Sequence, residues 1–362
     1  MTDKPTEPVL KSHRRAGVET TVVAVGAVRF GDGSYPVIAG PVAVEDEEQI
    51  LGVAHVVAGA GGAILRSGTH LAGTSPYGFR GMGDDGLWLL EHAGHESGLP
   101  TATEVLEPAQ ADVAADHVDM IEVGPENMQN FVLLRAVGAT GKPVLLNRGS
   151  SATIDEWLMA AEYVLDEDNE QVVLCERGSR GFDPRTSDTV DISAVPVVQR
   201  MSHLPVVVDP SPQEGAPELL RPLALAARSA GADGLAVSVH PDPSRAKVGN
   251  GSQLNLAGFA ALMDSLGIPS LRDEIDRIDR ELLELIALRL RDSVEIARIK
   301  AVRRLTLRSP DREAELIAEA REDAEALDLD PDYAQELMEL ILRHSRLAQH
   351  RALTENDGLA AG

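Results

Sequence analysis

The feature that most constrains the fold is a regular alternation of short apolar segments and longer helical ones between Val22 and about Leu266. Most of the short segments end at Gly, Pro, Asp or Asn, after which a segment of helical spacing begins. This alternation is typical of βαβ units with a parallel sheet. About eight such repeats favour a closed (β/α)₈ barrel over an open sheet. The candidate strands are TVVAVG, YPVIAG, GAILRSG, PTATEV, MIEVG, PVLLNRG, VVLCERG, LPVVVDP and GLAVSVH.

The pattern changes after the last of these repeats. From Ser270 to about Arg304 there is no Gly or Pro, and apolar residues recur at helical spacing, which predicts one helix of about 35 residues. Two further helix starts follow, at Ser309 and at Asp330, each an N-cap residue followed by Pro. The last helix is predicted to end near Leu353.

These patterns predict four segments and two fold types. We expect a loose leader over 1–20, an α/β domain over 21–267, an all-α three-helix domain over 268–354 and a frayed tail over 355–362. The α/β domain would be a (β/α)₈ TIM barrel. Its leading segment, TVVAVGAVRFGDGSYPVIAG, contains a GDG turn and predicts a hairpin that caps the barrel bottom.

Composition excludes several classes of protein. The formal net charge of −25 argues against a nucleic-acid binder, which would carry a basic face. A single cysteine, Cys175, excludes a disulfide framework. No apolar run is long enough to span a membrane, and the N-terminus lacks an apolar signal core, so we expect a cytoplasmic protein without membrane contact. Of this net charge, Leu271–Arg351 carries −5 and the remainder −20.

Several polar residues of the helical domain share faces. Arg289 and Lys300 are 11 residues apart, about 20° around a helix, whereas Arg272 lies about 100° away from that face. Ser345 and Gln349 are one helical turn apart. Together with Arg312, these residues would form a pocket for a small dianion, with Arg272 supplied by a neighbouring chain. The alternative is that they are ordinary solvated charges on the helix surfaces.

The helical domain resembles the all-helical chorismate mutases along its whole length. The resemblance rests on LRDEIDRIDRELLELIALRLRDSVEIARIK, SPDREAELI and ILRHSRLAQH. The family pattern is an Arg, a second Arg 17 residues later, a Lys 11 beyond it, an Arg-Glu pair and a Ser-x-x-x-Gln. The matching residues are Arg272, Arg289, Lys300, Arg312, Glu313, Ser345 and Gln349.

The resemblance implies a role for each of these residues. Arg289 and the partner chain's Arg272 would clamp the two carboxylates of chorismate, and Lys300 and Gln349 would donate to its ether oxygen. Glu313 would accept from the ring hydroxyl, with Arg312 and Ser345 completing the polar lining. Ser309 departs from the family, where many members carry Asp, so preference for a chorismate analogue stays open.

The barrel is similar to the type I DAHP synthases and related 3-deoxy-ulosonate-phosphate synthases. The similarity rests on IAGP, TSPYGFRGMG, NMQNF, ATIDEWLMAAEYV, LCERGSRGF, SHLPVVVDPS and VHPDP, in that order. The family condenses phosphoenolpyruvate with erythrose 4-phosphate on a divalent metal held by Cys, His, Glu and Asp. Here those positions hold Val42, Pro212, Ser238 and Asn250 (or Gly249). We therefore expect no metal and no cofactor.

The phosphate-binding positions of that family are also changed. K-P-R-T-S is replaced by LAGTS at 71–75, G-A-R-N by GPEN at 124–127, and L-L-K-R-G by LLNRG at 145–149. Four cations are thus lost and one anion is gained, which weakens binding of two phosphorylated substrates. The family residues that remain are Arg66, Arg148, Glu176, Arg177, Arg180 and His203.

The sequence thus predicts a chorismate mutase fused to a catalytically degenerate barrel with a structural or regulatory role. Three alternatives stay open: a bifunctional DAHP synthase and chorismate mutase, a mutase acting on 4-amino-4-deoxychorismate or isochorismate, and a non-catalytic regulator of a partner enzyme. We expect a homodimer or higher homo-oligomer, and a regulatory protein partner would fit the barrel's expected role.

Overall fold

The computed structural model describes residues 10–14, 20–73, 75, 77–181, 188–211, 217–268, 271–306, 309–327 and 329–359. For 188, 217, 271–274 and 354–359 it describes the backbone alone. The chain divides into two compact units, Met1–Arg272 and Asp273–Gly362. Among the described residues, no helix is both long enough and apolar enough to span a bilayer.

The first unit is a closed barrel of eight parallel strands, as the sequence predicts. A two-stranded hairpin, β1 (Val23–Val25) and β2 (Val28–Phe30), precedes it. The last barrel strand pairs with the first, with Ser238 opposite Gly40, so the sheet has no free edge. The barrel strands are β3 (Val37–Gly40), β4 (Ile64–Arg66), β5 (Thr101–Glu104), β6 (Met120–Val123), β7 (Val144–Asn147), β8 (Val172–Glu176), β11 (Val206–Val208) and β12 (Gly234–Ser238), and a small pair outside the ring comprises β9 (Ser179–Arg180) and β10 (Asp188–Thr189).

Helices follow the strands and begin at recognisable caps. Thr153 and Glu156 form a reciprocal capping box, and Asp46, Asn130 and Asn255 each accept a backbone N–H in the first turn of their helices. The helices of this unit are α1 (Glu47–Gly59), α2 (Asp84–Ser97), α3 (Ala109–His117), α4 (Phe131–Ala139), α5 (Ile154–Leu165), α6 (Ala194–Met201), α7 (Leu220–Ser229) and α8 (Leu256–Leu266).

The hairpin packs against the apolar filling of the barrel, but its turn is not the predicted one. Val23, Val25 and Phe30 belong to the same buried cluster as the inward-facing Cys175. The strands are joined at Gly26, whose φ of +58° suits a tight turn, whereas the GDG segment follows β2 and leads to β3. The prediction that GDG forms the hairpin turn was wrong. Glycine suits a turn both at Gly26 and in GDG, and only the pairing of β1 with β2 distinguishes the two segments.

Part of the predicted loose leader is bound to the barrel. The Arg14 backbone N–H donates to the Met201 carbonyl at 2.7 Å, and the buried Ser202 hydroxyl donates to the Ser12 carbonyl at 2.6 Å. His203 joins this contact, since its Nε2 lies 2.7 Å from the Lys11 carbonyl oxygen. Residues 10–14 are therefore ordered by the barrel, because buried polar groups there require these partners.

The second unit consists of three helices, as the sequence predicts. They are α9 (Leu271–Val302), α10 (Pro310–Ala326) and α11 (Pro331–Leu359). Ser309 occupies the N-cap position of α10, but its side chain makes no capping hydrogen bond. The backbone of α11 stays helical to Leu359, past the predicted end near Leu353.

Substitution of Trp157 in α5 tests the packing between the helices and the barrel strands. Its side chain is fully buried, and its Nε1 donates to the Leu146 carbonyl of β7 at 3.1 Å. We expect Trp157→Ala to lower the free energy of unfolding by about 3–5 kcal/mol, because it creates a cavity and removes a buried hydrogen bond.

The matched control is the only other tryptophan, Trp88, which is 56% exposed. Trp88→Ala should change the free energy of unfolding by less than about 1 kcal/mol. Urea unfolding followed by far-UV circular dichroism gives both values. Equal losses for the two variants would contradict this account of the barrel's packing.

Candidate active site

A cavity of about 620 Å³ lies within the helical unit, between the three helices. Seven of the eight predicted substrate-site residues line it: Arg289, Lys300, Ser309, Arg312, Glu313, Ser345 and Gln349. The eighth, Arg272, lies in the first turn of α9, and its side chain is outside the part of the chain that the structure describes. The fold therefore brings together seven of the residues that the family motif indicated.

Arg289 and Ser345 join α9 to α11 at one wall of the cavity. An Arg289 Nη1 donates to the Ser345 Oγ at 2.9 Å, and the buried Ser345 hydroxyl itself lies 2.9 Å from the Ile341 carbonyl oxygen. The guanidinium is planar and has five N–H donors, so donors remain for a carboxylate after this bond is made. The contact holds the Arg289 guanidinium at the cavity wall.

Gln349 is oriented by the backbone of the opposite helix. Its Nε2 donates to the Ser293 carbonyl at 3.0 Å. A side-chain amide has two N–H donors, so one is engaged by α9 and one is left for a ligand. Lys300, two turns after Ser293 on α9, lines the same cavity and is half-buried.

Glu313 and Arg312 are adjacent in sequence and differ in their surroundings. Glu313 accepts from an Arg346 Nη1 at 2.9 Å, and its side chain is only 20% exposed. Arg312 donates to Glu315 and Glu319 of its own helix. Arg312 therefore lines the cavity as expected, but its charge is already compensated along α10.

Three charged or titratable cavity residues were missed by the sequence analysis. They are Asp292, Arg346 and His350. Arg346 lies three residues before Gln349, and His350 lies four residues after Arg346, so helical spacing was a usable signal. The family motif did not include them, which is why they were not singled out.

The barrel carries a second cluster of charges at the carboxyl ends of its strands. Arg66 of β4 bridges Glu122 of β6 at 2.9 Å and Asp209, just after β11, at 3.0 Å. Burial opposes ionisation of Asp209, but Arg66 and Arg177 outweigh it and hold the pKa of Asp209 below its ordinary value. Burial and the neighbouring Glu122 raise the pKa of Glu104 to about 8.

A second ion pair lies on the same rim. Arg148 donates to Glu176 at 2.7 Å, although burial still raises the pKa of Glu176. Asn147, at a position where the sequence resemblance predicts Lys, donates its amide to Glu122 at 2.8 Å. Arg66 and Arg148 are thus engaged by carboxylates of the barrel itself. His203, by contrast, lies before β11 and binds Thr21 and the leader, so it does not belong to this rim.

The residues at the expected metal positions do not fit a divalent cation. Val42 has an aliphatic side chain, and its backbone N–H donates to Gln253 at 3.0 Å. Ser238 is buried, and its backbone N–H donates to the Ser211 hydroxyl at 2.8 Å. Asn250 is exposed, and Pro212 lies outside the described residues. Within the described ranges, no group of three or more His, Cys, Asp or Glu side chains is placed to hold a metal ion.

Comparison with known proteins agrees with both units. The family model of the DAHP synthetase I family matches residues 15–267, and that of chorismate mutase type II matches residues 271–350. A phospho-2-dehydro-3-deoxyheptonate aldolase of Thermotoga maritima is 41% identical over 248 residues, which is 68% of this chain and 73% of that protein. A 2-dehydro-3-deoxyphosphooctonate aldolase of Koribacter versatilis is 30% identical over 261 residues, 66% of this chain and 92% of that protein.

The solved structures that are similar to the barrel are also DAHP synthases. The crystal structure of the Thermotoga maritima DAHP synthase is similar with a TM-score of 0.70 and 39% identity, covering 73% of this chain and 77% of that chain. The truncated form of that enzyme is similar with a TM-score of 0.66 and 38% identity. The match covers 71% of this chain and 94% of that chain. The chain therefore belongs to the DAHP synthetase I family and carries a chorismate mutase type II domain after its barrel.

Proposed function

We propose that the helical unit is a chorismate mutase, which rearranges chorismate to prephenate by an intramolecular Claisen shift. The observation that carries the proposal is the single cavity that gathers Arg289, Lys300, Glu313 and Gln349. The match to the chorismate mutase type II domain supports it. The persistence of this cationic cavity speaks against a purely non-catalytic regulator.

The reaction needs neither a nucleophile nor a proton transfer. The enzyme holds the substrate in its reactive conformer and stabilises the negative charge that develops on the ether oxygen as the C–O bond breaks. Arg289, fixed by Ser345, binds a carboxylate. Lys300 and the free N–H of Gln349 donate to the ether oxygen, and Glu313 accepts from the ring hydroxyl.

The first test removes the positive charge that Lys300 would place next to the ether oxygen of the substrate. We expect Lys300→Ala to lower kcat about 10²–10³-fold, because a preorganised donor to the developing charge is lost. The rate of chorismate loss, followed by absorbance with purified protein, measures this effect. The matched control is Arg298→Ala on the same helix, whose partner is the exposed Glu295 at 3.2 Å.

Near-normal turnover by Lys300→Ala with an unchanged melting temperature would remove Lys300 from the mechanism. The same assay with 4-amino-4-deoxychorismate and isochorismate tests the substrate. Ser309 lines the cavity where many family members have Asp, which is the observation that keeps these analogues as alternatives. Turnover of an analogue while chorismate stays unchanged would contradict the proposed substrate.

We also propose that the active unit is a dimer in which Arg272 serves the partner's cavity. Ile275, Ile278 and Leu282 form an apolar stripe on α9 and are 57%, 43% and 50% exposed. Such a stripe on a soluble helix requires a cover. An isologous dimer would cover it and would place each Arg272 at the other chain's site.

Mixing two inactive variants tests this arrangement. Arg272→Ala and Lys300→Ala should each lose mutase activity, and a co-refolded equal mixture should recover about a quarter of the wild-type rate, because half of the dimers then contain one intact site. Activity of the mixture equal to the mean of the two variants would show that Arg272 acts within its own chain.

The barrel has two candidate functions. The 41% identity to a DAHP synthase favours a bifunctional synthase and mutase more than our expectation of an inactive barrel. Val42 and Ser238 at metal positions, and the carboxylates that already engage Arg66 and Arg148, support a structural or regulatory barrel. Tuning of the mutase by a partner protein is consistent with that second role.

An assay of synthase activity with and without a divalent metal distinguishes the two candidate functions of the barrel. If the barrel is structural or regulatory, phosphoenolpyruvate is not consumed in the presence of erythrose 4-phosphate, with or without Mn²⁺, and Mn²⁺ does not raise the melting temperature, because Val42 and Ser238 do not complete a ligand set. The mutase activity of the same sample is the control for correct folding. Metal-dependent consumption of both substrates would establish the bifunctional alternative.

A further inference from the structure

Met338 of α11 lies against the arginine that would bind a substrate carboxylate. An Arg289 Nη2 donates weakly to the Met338 Sδ at 4.0 Å, while Nη1 of the same guanidinium donates to the Ser345 Oγ at 2.9 Å. Met338 stands one helical turn before Leu342, which lines the cavity, and is itself half-buried. The Met338 sulfur is therefore close to the site and partly accessible to small molecules.

Met338 carries the only sulfur atom of the second unit. The segment Asp273–Gly362 contains no cysteine and no other methionine. The other sulfur atoms of the chain precede that segment and include Met159 of α5, whose side chain is 44% exposed. Chemistry at sulfur can therefore act on the helical unit from within at Met338 alone.

We propose that Met338 is an oxidation site that switches off the mutase, because its sulfoxide takes the Arg289 guanidinium away from the substrate carboxylate. This inference rests on the proposed mutase function and on the role of Arg289 in it. The oxidant is hydrogen peroxide. Its O–O bond breaks, one oxygen atom bonds to the thioether sulfur, which is oxidised by two electrons, and the other oxygen leaves as water.

The two oxidation states of the sulfur differ in what they offer to Arg289. A thioether is a weak acceptor, so in the reduced chain Ser345 fixes the guanidinium and further N–H groups stay available. A sulfoxide is polar, and its oxygen accepts a hydrogen bond from a charged donor. Because the sulfur already lies 4.0 Å from Nη2, an oxygen on the side of the guanidinium comes within hydrogen-bonding distance. The substrate carboxylate then competes with a permanent acceptor for the same N–H group.

The test compares KM and kcat for chorismate before and after treatment of the full chain with hydrogen peroxide. Mass spectrometry follows the uptake of one oxygen at Met338. We expect its oxidation to raise KM about tenfold and to leave kcat within about twofold, because Arg289 binds the carboxylate in the ground state and the transition state alike. Methionine sulfoxide reductases should restore the original KM.

Three variants separate Met338 from the other methionines. Met338→Leu should keep the basal KM within about twofold and make it insensitive to peroxide, since leucine has a similar volume and no sulfur. Met338→Gln places an amide oxygen near Arg289 and should raise KM without any oxidant. The matched control is Met159→Leu, which removes an exposed methionine of the barrel and should leave the peroxide effect unchanged.

Four results would overturn the inference. They are a fall in kcat at constant KM, which indicates unfolding of the helical unit, an equal effect of peroxide on Met338→Leu, an unchanged KM when Met338 is fully oxidised, and no oxygen uptake at Met338 under conditions that oxidise Met159.

Binding of chorismate, measured by calorimetry, separates this inference from the proposed function. A wild type that binds chorismate without turning it over contradicts the mutase function, while the change in Kd on oxidation still tests Met338. A wild type that turns over chorismate equally well before and after complete oxidation of Met338 contradicts this inference alone.

Discussion

The hydrogen bonds between β12 and β3 are the contact on which the barrel depends. They close a parallel sheet that would otherwise have two exposed edges, and they bring the carboxyl ends of all eight strands to one rim. Charged residues that are far apart in sequence then meet there. Arg66 can contact both Glu122 and Asp209 only because the ring is closed.

The arginines of the two units have different surroundings. At the barrel rim, buried arginines are engaged by buried carboxylates, which compensates the charges where water is excluded. In the helical cavity, cations outnumber carboxylates, so the cavity can attract an anion. The function of each unit must therefore be argued from the residues of its own site and not from its fold.

Local patterns predicted much of this molecule. Alternating strands and helices predicted the barrel, and helical spacing together with the family motif identified seven of the cavity residues. The errors arose where two segments carried the same local signal. Gly26 and the GDG segment both suit a turn, and only strand pairing shows that Gly26 joins β1 to β2. Likewise, residues 10–14 look like a polar leader until the contacts of Ser12 and Arg14 with the barrel are known.

The sequence by itself determined the order of elements and the two fold types, because periodicity is a local property of the chain. The family motif indicated seven of the residues at the cavity. The tertiary structure decided which charges face each other. Arg312 and Arg346 are both arginines near the cavity, but one is bound to its own helix and the other holds Glu313. Such choices depend on how helices pack, since an ion pair forms only where the fold brings two side chains within a few ångströms.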